Sequence, residues 1–115
     1  MAFAVVEYVR ADGASPYRQW FDGLAPQAAA RVATATLRLE MGNVSNVKWI
    51  GAIGECRIDW GPGYRIYLAC DGEALIILLG GGTKKRQQAD IERAKGSWAE
   101  YTARKAAVEQ RKGKG

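Results

Sequence analysis

At 115 residues and 48% hydrophobic side chains, the chain suits one domain with one modest core, and it leaves no room for a cofactor domain beside a substrate domain. It has no run of about 18 apolar residues, and residues 1–10 lack the charged-then-apolar pattern of a secretory leader. The expectation is therefore a cytoplasmic protein with no membrane span, in which Cys56 and Cys70 are free thiols.

The net charge of +5 is uneven: residues 1–83 carry seven basic and eight acidic side chains, residues 84–115 ten and four. A positive C-terminal third favours a polyanion or an acidic protein partner. Lys84-Lys85-Arg86 follows directly on an apolar run and is expected to bind phosphate. Beyond about residue 103 the basic sequence reads as a solvated helix end or a disordered tail.

In chain order, Phe3 to Arg10 reads as a first strand, closed by Asp12-Gly13. Ser15-Pro16 starts a short helix, with Tyr17, Trp20, Phe21 and Leu24 on one face. Pro26 opens a second helix that runs to about Met41, with Val32, Ala35 and Leu39 inward and Gly42 as the stop. The pair is expected as a helical hairpin on a sheet. A short strand falls around Val47–Ile50.

Residues 54–67 then read as strand, Gly61-Pro62-Gly63 turn, strand. With Trp60 paired to Tyr64, Ile58 faces Ile66 and Cys56 faces Leu68, all on one side. The other side carries Glu55, Arg57 and Asp59 opposite Ala69, Tyr67 and Arg65. Asp71-Gly72 marks a hairpin into Ala74–Leu79, a strand buried on both faces, ended by Gly80-Gly81-Gly82. A last helix from about Lys85 to Ala107 packs through Ile91, Ala94, Trp98 and Tyr101, with Gly96 costing it about 1 kcal/mol. The fold class is α+β: an antiparallel-rich sheet of about four strands, an N-terminal helical hairpin and a C-terminal helix.

With no histidine and no metal-ligand cluster, chemistry falls to arginine, lysine and tyrosine. Arg57 and Arg65 on neighbouring strands offer two planar forks suited to a phosphate. Tyr67 suits base stacking or proton transfer. Lys84 and Lys85 leave the apolar strand towards the same rim. Fixed cations stabilise the charge gathered on a phosphodiester in its transition state, and a lysine among like charges loses its proton more readily. An RNA 2′-OH is the natural nucleophile. The plain structural alternative stays open: Asp59 pairing with Arg65, Glu55 neutralising Arg57, and Tyr67 packing.

Trp20-Phe21-x-x-Leu24, Gly54-Glu55-Cys56-Arg57-Ile58, Gly61-Pro62-Gly63-Tyr64-Arg65-Ile66-Tyr67, Leu78-Leu79-x-Gly81-Gly82-x-Lys84, Gln87 or Gln88, Asp90-Ile91, Ala94 and Trp98 together resemble the RelE/ParE toxin superfamily. The resemblance is closest to its HigB-like branch, the addiction module killer proteins, and covers about residues 3–101. It implies a RelE-like fold and a toxin of a type II toxin–antitoxin module. The implied partner is an antitoxin, usually a helix-turn-helix DNA-binding protein. The implied activity is cleavage of messenger RNA on the ribosome, with no metal or other cofactor. Arg57 and Arg65 match the family's strand arginines, Lys84 its basic position after the last strand, and Lys48 more weakly its lysines before the hairpin. The absence of histidine departs from members that use a histidine base, and Tyr101 does not match a catalytic tyrosine. The same superfamily includes inhibitors of DNA gyrase, and a non-catalytic co-repressor that binds its antitoxin is a third reading.

Overall fold

A computed structural model describes residues 2–114. Its elements are β1 (Ala4–Glu7), α1 (Pro16–Asp22), α2 (Pro26–Glu40), β2 (Val47–Ile50), β3 (Ile53–Ile58), β4 (Tyr64–Asp71), β5 (Leu75–Thr83), a 3-10 turn (Lys84–Arg86) and α3 (Gln87–Lys114). The strands form one five-stranded sheet in the order β1-β5-β4-β3-β2. β1 runs parallel to β5, and the other three pairings are antiparallel. The α+β class is as read from the sequence, with one strand more than the four expected.

The first helix starts where Ser15 accepts a hydrogen bond from the Arg18 N–H, with Pro16 in the first turn. α1 and α2 cover one face of the sheet. Tyr17, Val32, Leu39, Cys56, Ile66, Leu68, Ile76 and Leu78 fill that core, with Trp20, Phe21 and Leu24 packed against it. α3 covers the other face, where Tyr8, Ile53, Tyr67, Ala69, Ile77, Leu79, Ile91 and Ala94 meet, flanked by Trp98 and Tyr101. Both faces of the central strands are therefore buried. Among the described residues, no helix is long and apolar enough to cross a membrane.

Four expectations need correction. First, the β3–β4 pairing closes at Ile58 with Tyr64, not Trp60 with Tyr64. Asp59 and Trp60 belong to the loop, which folds on itself through Trp60 N–H to Ile58 O (2.9 Å) and Gly63 N–H to Trp60 O (3.2 Å). A shift of two residues keeps every side chain on its expected face, whereas one residue would have flipped them all. The cross-strand partners do change: Arg57 lies opposite Arg65, Glu55 opposite Tyr67, and Asp59 has left the ladder.

Second, Gly80-Gly81-Gly82 does not end β5, which runs on to Thr83. A Cβ on Gly81 would stand 2.2 Å from the Trp20 ring, and one on Gly82 would stand 1.9 Å from Asp90 Oδ2. The glycines let α1 and α3 press onto the two faces of the strand. Third, α3 does not end near Ala107 but runs on to Lys114, exposed along its last turns. The lower half of α3 is tied to the body by Tyr8 to Glu100 (2.6 Å), Tyr101 to Asp71 (2.5 Å) and Lys105 to Asp71 (2.6 Å).

The fourth correction concerns the Arg57–Arg65–Tyr67 side of the hairpin. The alternation alone left it as the side turned away from the core, whereas α3 covers it and gives it a core of its own.

Candidate functional site

Strand alternation places Lys48, Glu55, Arg57, Arg65 and Tyr67 on the α3 face, with Lys48 opposite Glu55 and Arg57 opposite Arg65. Two arginines directly across from each other repel. Glu55, fully buried at 0% exposure, resolves the conflict. Its Oε1 accepts from Arg57 Nε at 2.9 Å and stands 3.5 Å from Arg65 Nε. Its Oε2 accepts from Gln87 Nε2 at 2.8 Å and, at a longer 3.4 Å, from the Tyr67 hydroxyl. Burial raises the Glu55 pKa, but the Arg57 and Gln87 hydrogen bonds and the two guanidinium charges outweigh it, and the net shift is downward. Glu55 is thus a buried carboxylate anchoring two arginines.

The arginines differ. Arg57 has a side chain 43% exposed and projects its guanidinium to the rim. Arg65 is 7% exposed, and its Nη1 donates to the Gly63 carbonyl at 3.0 Å. The turn fixes this corner. Gly63 has φ 77°, and a Cβ there would meet Arg65 Nη1 and Lys84 Cβ, each at 3.5 Å. Lys84 N–H donates to the Gly63 carbonyl at 3.0 Å, so the basic run starts beside Arg65. Lys84, Lys85 and Arg86 are exposed in the 3-10 turn, and Lys48 is exposed on β2.

The remaining candidate, Tyr67, is 1% exposed. Burial first, then the Glu55 and Asp90 carboxylates, push its hydroxyl well above the ordinary value. Tyr67 is thus packed within the α3-face core, its hydroxyl on Glu55 and its ring enclosed. Arg57, Arg65 and Lys84 do meet at one corner; Lys48 joins them along the sheet.

A carboxylate to which sequence reasoning assigned no role, Asp90, lies over Gly82 on the same face. It is 8% exposed, its Oδ2 has no hydrogen-bond partner, and burial raises its pKa against the pull of Arg86 and Arg93. Sequence reasoning also passed over a groove of about 690 Å³ between α2 and the start of β2 and end of β3. Arg31, Arg38, Lys48, Arg57, Asp59 and Trp60 are among its lining residues. The seven-residue spacing of Arg31 and Arg38, one stripe of a helix, was the available signal. Among the described residues no group of three His, Cys, Asp or Glu is placed to hold a metal ion.

No protein-family model matches the chain. It is similar to an uncharacterized protein of Haemophilus influenzae, 43% identical over 70 residues that span 60% of this chain and 71% of that protein.

Proposed function

We propose that this chain, which belongs to the same family as the uncharacterized Haemophilus influenzae protein, is the toxin of a type II toxin–antitoxin module. It acts in the cytoplasm as a metal-independent, ribosome-dependent messenger RNA endonuclease of the RelE/ParE superfamily, nearest its HigB-like branch. An antitoxin of the helix-turn-helix type neutralises it. One observation carries the reading: Arg57 and Arg65 face each other across β3–β4, both anchored on buried Glu55, with Lys84 tied to the same turn.

In the proposed reaction the RNA 2′-oxygen attacks the adjacent phosphorus as its proton passes to a base. The bond to the 5′-oxygen breaks, that oxygen takes a proton, and a 2′,3′-cyclic phosphate remains. Arg57 binds the phosphoryl oxygens from the rim, and Arg65 holds the corner at fixed charge. Lys84, exposed beside them, is the candidate proton carrier now that Tyr67 is enclosed. Lys48, Lys85 and Arg86 bind flanking phosphates.

Arg57→Ala is the clean test, because Arg57 is exposed and Glu55 keeps Arg65, Gln87 and Tyr67. Induction of the wild-type chain is expected to arrest growth and cut messages, and Arg57→Ala to abolish both while the protein stays folded. Intact messages during arrest would sink the nuclease. The enclosure of Tyr67 favours one second reading, an inhibitor of DNA gyrase, which blocked supercoiling by purified gyrase with translation intact would select. A chain that binds its antitoxin but leaves growth untouched is the co-repressor.

A further inference from the structure

The α2 groove opens on the α1/α2 face of the sheet, across the sheet edge from the Arg57 corner, and has its own chemistry. Arg31 and Arg38 stand two turns apart on α2, about 10 Å along the axis. Both are exposed and both line the groove. Lys48 and Arg57 stand at its border, where the start of β2 pairs with the end of β3 and their side chains turn to the α3 face, and Asp59 is the lone acid among its lining residues. Its volume of about 690 Å³ falls within the roughly 300–1,000 Å³ of ligand sites. Trp60 stands at one end. Its ring stacks on Tyr64 (centroids 6.1 Å apart, planes 22° apart), and the Arg31 guanidinium lies 5.3 Å over it.

We propose that this groove is a track for single-stranded RNA, in which Arg31 and Arg38 bind backbone phosphates and an unpaired base stacks on Trp60. The proposal rests on the nuclease reading, with the strand passing round the edge of the sheet from the α2 face to reach the Arg57 guanidinium on the α3 face. Cations along a groove with an aromatic platform are the means by which proteins hold single strands, since every base has a π-face and every link a phosphate. The strand must be unpaired, because a base within a duplex cannot reach the indole. Arg31 marks the exchange. It covers the Trp60 face in the free chain through a contact worth little at an exposed site. On binding, the base takes that face and Arg31 turns to the phosphate.

The test is binding of a fluorescently labelled single-stranded RNA 10-mer to the purified full chain, titrated across salt concentrations. Arg31→Ala with Arg38→Ala is expected to weaken binding about tenfold and to lower the salt slope by about 1.4, close to 0.7 per cation lost. Trp60→Ala is expected to cost about fivefold or more, and Trp60→Phe, which keeps a ring, far less. Lys95→Ala, on α3, should change nothing beyond its own small share of charge. Thermal melts confirm that each variant is folded. Unchanged affinity and slope in the double arginine variant overturn the track. So does an acidic peptide, poly-glutamate, binding through Arg31 and Arg38 while RNA affinity ignores them, which would assign the groove to a protein partner. If RNA binding follows the track but messages survive in arrested cells, the nuclease fails and the track stands. If Arg57→Ala abolishes cleavage while the track variants bind normally, the reverse holds.

Discussion

The two faces of the sheet are both buried, but they are built from different materials. Under α1 and α2 the core is aliphatic and aromatic, with Ile66 and Val32 fully buried and the Cys56 thiol pushed up to about 11 by burial. Under α3 the core is threaded by Glu55, Arg65 and Asp90. The contrast teaches that burial alone does not separate scaffold from site. On the α1/α2 face burial is the stabilising term itself. On the α3 face it is a cost that holds two guanidiniums in place only because a carboxylate lies between them.

The largest expected effect comes from breaking that carboxylate. Glu55→Ala leaves Arg65 buried without its ion-pair partner and should cost about 3–5 kcal/mol at neutral pH. Ile66→Ala on the opposite face should cost about 2–5 kcal/mol by opening a cavity. Acid separates the two. Because the folded-state pKa of Glu55 lies below the usual 4.5, its contribution is present above that pH and is lost as pH falls through the folded value. The gap between Glu55→Ala and wild type should shrink from pH 7 to pH 3 in denaturant titrations, while the Ile66→Ala gap should not. A constant Glu55→Ala gap would show that its charge does no more than its bulk.

A middle-sized effect tests how the two helices reach the same strand. Gly81→Ala puts a methyl 2.2 Å from the Trp20 ring, whereas at Gly80 nothing lies within 4 Å. Overpacking of this kind costs about 1–3 kcal/mol. Gly81→Ala should lower the melting temperature by several degrees and Gly80→Ala hardly at all. Equal effects would mean that only strand propensity was being read.

Much of this was legible in the sequence. Period two put Cys56, Ile58, Ile66 and Leu68 on one side and Arg57, Arg65 and Tyr67 on the other, and a two-residue error in register left that division intact. Ser15, Pro16 and the stripe Tyr17, Trp20, Phe21, Leu24 located α1 by local chemistry. The rest depended on contacts between distant residues. A Glu-x-Arg alternation looks solvent-facing until α3 is laid across it, and the stripe Ile91, Ala94, Trp98, Tyr101 did not say which face it would cover. Three glycines look like a strand end because their reason lies in Trp20 and Asp90, about 60 residues before and 8 after Gly82. Asp90 itself carries no local mark of burial.

The smallest predicted effect distinguishes the two acids of the α3 face. Glu55 has its pKa lowered by partners; Asp90 has its pKa raised by burial, with Oδ2 against Gly82 and unpartnered. The signs of their linkage are opposite. A raised carboxyl pKa means the folded chain holds that proton more tightly than the unfolded one. Asp90 therefore costs stability as pH rises from the usual 3.8 through its folded value, and the full cost persists above it. Its pairing with Arg93 at 3.7 Å is too exposed to repay that. Asp90→Asn keeps the shape and cannot ionise, so it should stabilise the protein by about 1 kcal/mol at pH 7 and by less at pH 3. A loss of stability at pH 7 would mean that the carboxylate is held by a partner, and would move Asp90 from the cost side of this face to the side of Glu55.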